Sequence, residues 1–353
     1  MLLRALHQLA FRNLRTRHLD FPAGVTALVG CNGAGKSNLL SAAYLGCNGN
    51  VAAGPLAELI AHGHDEAHVS AEVEHREGVS TVAIGLSVGR KAVKLDGQPA
   101  RAQDVAKLMA AVLITPVDSE LVHGSPSARR AYLDAVLGKL SARYALVARE
   151  YQRVLEQRNA LLRNDPRDPS LAAWTERFVA LGDEIDSLRR RLVDRLCPMA
   201  NAVYREVAGP GGPFEVRLVR SWEGDSLADA VVASRFEEAA RGASVVGPHR
   251  DDLALELGGR LLRSFGSRGE ARTAALALRV AEYRLLSERH GESPVLLIDD
   301  FSAELDPSRR GYLLELTAAI PQVLVTGTEA PPRYDQLVEI ADGACRVVAA
   351  AHA

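Results

Sequence analysis

Apolar residues recur at two spacings along this chain, and the switch between them divides it. Near the start the spacing is two. Leu6 to Phe11 roughly alternates, His18 to Phe21 is a second short run before the Pro22-Ala23-Gly24 turn, and Val25 to Val29 reads as a short buried strand. Asn38 to Leu45 then predicts the first turns of a helix, and Gly46-Cys47-Asn48-Gly49 a turn that ends it. From about 67 to 96 the alternation returns in His68–Val73, Val79–Val88 and Lys91–Leu95, with turns at Glu77-Gly78 and Asp96-Gly97. Leu108 to Thr115 ends in the apolar run Ala111–Ile114, a buried strand closed by Pro116.

From Pro126 to about Val207 the spacing becomes helical. Ala128–Leu140 and Ser141–Leu162 form two helices, and Pro166 and Pro169 mark a break. A long third helical region follows from Ser170, with Leu181, Ile185, Leu188, Leu192 and Leu196 along one stripe and a kink expected at Pro198. Two antiparallel helices of this size make a short arm, far short of a many-heptad coiled coil. Beyond it come a strand at Phe214–Val219, a helix at Leu227–Arg241, a hairpin at Leu253–Leu257 and Arg260–Leu262, and apolar strands at Pro294–Ile298 and Val323–Val325.

With 353 residues the chain has room for two domains, or for one large domain carrying an insertion. A formal net charge of −2 means that no global basic field announces a nucleic acid, although a local basic face is compatible with it. No stretch approaches the roughly 20 apolar residues of a membrane span. The N-terminus lacks the continuous apolar core of a signal peptide. Cys31, Cys47, Cys197 and Cys345 form no C-x-x-C pair and no Cys/His ligand set, which argues against structural zinc and for a reduced, cytoplasmic setting.

The chemistry begins at Gly30-Cys31-Asn32-Gly33-Ala34-Gly35-Lys36-Ser37, which fits the phosphate loop G-x-x-x-x-G-K-[ST] between a strand and a helix. Glycines let the backbone aim several N–H groups at one anion, and the helix N-terminus adds partial positive charge. In that motif Lys36 reaches the β- and γ-phosphates and Ser37 holds Mg²⁺. At the far end, Val295–Ile298 leads into Asp299-Asp300, a Walker B pattern in which Asp299 binds the metal and Asp300 polarises the attacking water. Lys36 and Asp299 lie 263 positions apart, so an inserted lobe separates two halves that must meet in one sheet. Ser267-Arg268-Gly269-Glu270 matches the ABC signature S-x-G-[QE], and Ser302-Ala303-Glu304-Leu305-Asp306 a D-loop. Ser267 with Glu270 is equally a capping box, and Asp306 before Pro307 equally a helix N-cap.

These motifs, read together with Phe11-Arg12-Asn13, Pro126 to Asp134, Gln157-Arg158-Asn159, and above all Gly247-Pro248-His249-Arg250-Asp251-Asp252, resemble the RecF family, bacterial repair ATPases of the SMC/ABC class. The resemblance covers nearly the whole chain. It implies an α/β, ABC-type P-loop ATPase head with a mixed sheet. Residues 1–120 and 243–353 would build the head and 121–242 the helical arm. It implies an ATP and Mg²⁺ site made of Arg12, Gly30, Cys31, Asn32, Gly33, Ala34, Gly35, Lys36, Ser37, Asp299 and Asp300. Ser267, Gly269, Glu270 and Asp306 would act across an ATP-dependent homodimer. It further implies slow hydrolysis, binding to duplex DNA near single-strand gaps, and cooperation with RecR and RecO in loading RecA.

The chain departs from the family pattern at three places. Glu270 stands where Gln is usual, Val117-Asp118 where an acidic residue directly follows Pro116, and Thr326-Gly327-Thr328 where many ABC proteins carry a switch histidine. Arm arginines, among them Arg149, Arg153, Arg158, Arg189, Arg190 and Arg191, are candidate phosphate contacts, although each is equally explained as part of a solvated helix face. The loop and Walker B strand alone would also suit a phosphotransferase of a small metabolite or an ATP-binding structural adaptor.

Overall fold

The computed structural model describes residues 1–52, 54–301 and 307–350. In chain order its first elements are β1 (Leu2–Leu9), β2 (His18–Asp20), β3 (Gly24–Val29), α1 (Lys36–Asn48), β4 (Glu66–His75), β5 (Gly78–Ser87), β6 (Arg90–Leu95), β7 (Gln98–Ala100), α2 (Ala102–Leu108) and β8 (Ala111–Ile114). Next come α3 (Glu120–His123), α4 (Pro126–Leu140), α5 (Ala142–Asn164), α6 (Ser170–Ala208), β9 (Phe214–Val219), α7 (Leu227–Arg241), β10 (Asp252–Leu257), β11 (Arg260–Leu261), α8 (Leu262–Phe265) and α9 (Arg268–His290). The last are β12 (Val295–Ile298), α10 (Pro307–Ala319), β13 (Gln322–Gly327), β14 (Gln336–Ala341) and β15 (Ala344–Ala350). None of the described helices is long and apolar enough to cross a membrane.

The chain forms two compact units. One comprises 1–118, 203–210 and 276–353, the other 119–202 and 211–275. The sequence places a boundary at 242/243. The structure instead carries 243–275 into the helical unit, because β10 pairs antiparallel with β9 along its whole length.

The first unit holds two six-stranded sheets. One, in the order β2-β1-β4-β5-β6-β7, is antiparallel and has the alternating burial that its sequence predicts. The other runs β15-β14-β3-β13-β12-β8, parallel except for β15. Here β3 lies between β13 and β14, with Ala27 opposite Val325 and Leu337, so both ends of the chain share one sheet. Strands β3, β8, β12 and β13 are buried on both faces, hence their continuous apolar runs.

Helix α1 packs against both sheets and buries Leu39, Leu40, Ala42, Ala43 and Leu45 almost completely. Truncating any of the leucines to alanine would cost about 2–5 kcal/mol. Contrary to the turn expected at Gly46–Gly49, α1 runs on through Asn48 and ends in the left-handed Gly49. Gly46 lies inside the helix and is glycine because a Cβ there would fall 2.5 Å from that of Ala71 on β4. The Asn48 amide pairs with both backbone groups of Ala111, tying the helix to β8.

In the second unit α5 and α6 run antiparallel, linked by Arg143–Glu184, Arg177–Glu150 and Arg158–Thr175. Helix α6 is continuous through Pro198. Two candidate DNA-contacting arginines prove to be internal. Arg158 is 3% exposed and holds Glu238 and Ser244. Arg189 is 4% exposed and holds Asp251, Asp134 and the Pro248 carbonyl. Arg190 pairs with Asp186 one turn back, whereas Arg149, Arg153 and Arg191 are exposed.

The Gly247–Asp252 run is the knot of this unit. Asp251 is fully buried. Besides Arg189 it takes the Ser221 N–H, and its carbonyl takes Arg130. Asp252 pairs with Arg129 through both carboxylate oxygens. His249 meets the Tyr151 hydroxyl at 2.8 Å, and burial pushes its imidazole down to about 4. Gly247 adopts φ 124°, and any Cβ there would strike the Tyr151 hydroxyl and the Phe178 ring.

Candidate functional site

The glycine loop leaves β3 at Gly30, where a side chain is excluded because a Cβ would lie 2.2 Å from the Ile340 carbonyl oxygen. Gly33 and Gly35 take φ 82° and 113°, conformations that glycine reaches without strain. Gly35 caps α1 and its carbonyl accepts the Leu39 N–H. The first turn of α1 carries Lys36 and Ser37 where acidic residues are usual, so the partial positive charge of the helix end is left for an external anion. Cys31, Asn32 and Gly33 are exposed. The Lys36 ammonium donates to the carbonyls of Gly30 at 2.7 Å and Cys31 at 2.9 Å, folded back over its own loop.

Strand β12 delivers the carboxylates to the same edge. The Ser37 hydroxyl donates to Asp299 Oδ1 at 2.9 Å, and the Thr326 hydroxyl donates to the same oxygen at 2.7 Å. Asp300 follows with φ 56°, and its N–H donates to Thr326 Oγ1 at 2.8 Å. A hydroxyl and a carboxylate at this separation are the hard oxygen donors that suit Mg²⁺, the rest of its shell coming from water and phosphate. Metal-ligand groups of three or more His, Cys, Asp or Glu are absent among the described residues.

The Phe11-Arg12-Asn13 segment joins the loop from the side. Arg12 adopts φ 47° and donates to Asn38 Oδ1 at 2.7 Å. Asn38 donates to Asn13 Oδ1 at 2.7 Å, and Asn13 to the Gly33 carbonyl at 3.3 Å. A recess of about 650 Å³ adjoins this chain of amides, lined by Arg12, Asn13, Arg15, Gly33, His62 and His64. The structure therefore brings together Arg12, Gly30 to Ser37, Asp299 and Asp300. Sequence reading passes over Asn38 and the two histidines, and places Thr326 only in the switch segment. Asn38 follows the loop directly and Thr326 ends an apolar strand, which are positional signals, but His62 and His64 lie in a segment without periodicity.

Ser267, Gly269 and Glu270 belong to the second unit. There the capping box is formed. The Ser267 N–H donates to Glu270 Oε2 at 2.7 Å, and the Glu270 N–H to Ser267 Oγ at 3.2 Å. Glu270 thus serves where glutamine is usual, and Ser267 stays exposed at the start of α9. Asp306 and the rest of the D-loop run lie outside the described residues. Asp118 is committed to structure. It accepts the Thr115 N–H at 2.7 Å and the Arg279 guanidinium at 2.7 Å, while Val117 is exposed.

Comparison with known proteins agrees with this geometry. The family model of the RecF/RecN/SMC N-terminal domain matches residues 2–342. A Deinococcus deserti protein named DNA replication and repair protein RecF is 48% identical over 332 residues, covering 94% of this chain and 91% of the relative. Its Deinococcus radiodurans namesake is 47% identical over 330 residues, with the same coverage. Among solved structures, the recombination mediator RecF with ATP, of the RecFOR pathway, superposes with a TM-score of 0.91 at 27% identity. It covers 98% of this chain and 97% of that one. An Smc head from Pyrococcus furiosus shares the fold, with a TM-score of 0.53 at 17% identity, over 98% of this chain and 95% of that one.

Proposed function

The chain belongs to the RecF/RecN/SMC N-terminal-domain family and, within it, to the RecF proteins of DNA replication and repair, and on that premise we propose that it is an ATP-gated clamp on duplex DNA. One observation carries the reading. Ser37 and Asp299, from opposite ends of the chain, meet at 2.9 Å beside a glycine loop whose helix end is open to an anion.

In this reading the loop amides from Gly30 to Ser37 cradle the phosphates of ATP. Lys36 exchanges the carbonyls of Gly30 and Cys31 for phosphate oxygens, a stronger, charge-assisted contact. Ser37 and Asp299 hold Mg²⁺, which when bound neutralises charge on the transferred phosphoryl group. Asp300 orients and deprotonates the attacking water. Arg12, fixed by Asn38, lines the recess beside the phosphates. Ser267, Gly269, Glu270 and Asp306 of a second copy complete the site, so ATP joins two heads and its slow hydrolysis parts them. The closed pair holds duplex DNA near single-strand gaps through phosphate contacts, which makes the grip salt-sensitive. DNA in turn stimulates hydrolysis. RecR and RecO are the partners in loading RecA, and the setting is the cytoplasm.

The test is sedimentation with ATP, with and without gapped duplex DNA. Wild type should dimerise, Lys36→Arg and Ser267→Arg should stay monomeric, and Asp300→Asn should bind ATP and remain dimeric. A strictly monomeric Asp300→Asn protein at saturating ATP would sink the composite site.

A further inference from the structure

We infer that Thr326 is a positioning residue for the Walker B pair, setting Asp299 for the cation and fixing the backbone of Asp300. This deepens the nucleotide reading above and rests on it. The proton inventory fixes the direction of each bond. A backbone N–H can only donate, so the Asp300 N–H at 2.8 Å occupies a lone pair of Thr326 Oγ1. The one hydroxyl proton of Thr326 is then left for Asp299 Oδ1 at 2.7 Å.

The parallel pairing makes this placement unavoidable. Ile298 on β12 lies opposite Val325 on β13, so Asp299, the first residue beyond β12, comes level with Thr326, which still pairs with Leu28 of β3. A β-branched threonine in a strand has restricted χ1 freedom, and this one is 1% exposed. Its carbonyl also accepts the Phe301 N–H at 2.8 Å, so one residue holds three successive positions of the Walker B turn. That turn needs holding, because Asp300 sits at φ 56°, a left-handed conformation unfavourable for a residue with a side chain.

Asp299 Oδ1 accepts from both Ser37 and Thr326. A cation that took a lone pair of Ser37 Oγ would draw that hydroxyl toward itself and loosen its contact with Asp299. The Thr326 bond is then the one that keeps the carboxylate plane in place. This differs from a residue that touches phosphate, the role suggested by its position in the switch segment.

The test compares the full chain with Thr326→Val, which keeps the shape and removes the hydroxyl, and Thr326→Ser, which keeps the hydroxyl. ATP affinity is measured by calorimetry in EDTA and across a Mg²⁺ series, with kcat and KM alongside. For Thr326→Val, the Mg²⁺ concentration that gives half of the metal-dependent gain in affinity should rise about 10-fold or more, and kcat should fall by a similar factor. Affinity in EDTA should stay within about twofold, and Thr326→Ser should recover most of the loss. If Thr326→Val cannot be purified folded, Thr326→Ala against Thr326→Ser carries the same comparison. A wild-type Mg²⁺ profile in the valine or alanine variant overturns the inference, as does equal impairment of the serine variant, which would point to packing. Wild type that binds no ATP overturns the nucleotide reading itself, and the inference with it.

Discussion

The glycine loop and the Gly247–Asp252 run are the most distinctive stretches of this chain, and they are built in opposite ways. The loop is open. Cys31, Asn32 and Gly33 face solvent, and the Lys36 ammonium rests on nearby carbonyls that it can leave. The run is closed. Asp251 is wholly buried, and arginines from α4 and α6 are spent on its carboxylates and carbonyls. Both runs are equally specific as sequence. The difference teaches that specificity of pattern does not by itself announce a ligand. A loop holding its charge in reserve suits a ligand, and a run whose two carboxylates are paired with arginines suits the fold.

The largest expected effect tests the closed side. Arg158→Met leaves Glu238 buried and unpaired, and should lower the unfolding free energy by about 3–5 kcal/mol in urea titration. ATP affinity at low temperature, where the protein is still folded, should stay unchanged. Loss of affinity along with stability would mean that the two regions are not separable.

A slightly smaller effect follows from His249, whose buried imidazole is pushed down to about 4 from the ordinary 6.5. Between these values the unfolded chain binds a proton that the folded one refuses. The contribution to stability is therefore present above pH 6.5 and lost as the pH falls toward 4, by about 3 kcal/mol in all. His290 in the first unit, also pushed down to about 4 by burial, adds a slope of the same sign. Comparing wild type with His249→Gln across this range isolates the His249 share, and parallel stability curves would show that it carries none.

The mirror experiment tests the open side. Lys36→Ala should weaken ATP binding on the order of 100-fold, about 2.7 kcal/mol, because an anion is left without its cation. Its bonds are to exposed or half-buried carbonyls, so the melting temperature without ligand should barely move. A large drop in that temperature would make the loop as structural as the run it is set against.

How much could be read beforehand follows the same division. Strand alternation in β4 to β6 and the glycine loop were legible because the information is local. By charge alone Arg158 and Arg189 read as surface groups, whereas their positions say otherwise. Arg158 stands on the apolar stripe of Tyr151, Leu155 and Leu162, and Arg189 on that of Ile185, Leu192 and Leu196, which is the signal of a buried arginine with a buried partner. That partner, Glu238 or Asp251, sits more than fifty residues away, where periodicity is silent. Gly46 read as a turn because nothing local reveals the close approach of Ala71. Thr326 and Asp299 are likewise neighbours only through strand pairing.

The place of β3 between β13 and β14 has a consequence for synthesis on the ribosome. Strands β1, β2 and β4 to β7 of the antiparallel sheet emerge within the first hundred residues and can pair early. The central sheet cannot, because both neighbours of β3 are made only after residue 321. For most of translation the apolar strand ahead of the glycine loop therefore waits without partners, the situation in which a chaperone or a pause matters most. A nascent chain that stops before Thr326 is exposed can display its arm, but not a finished nucleotide site.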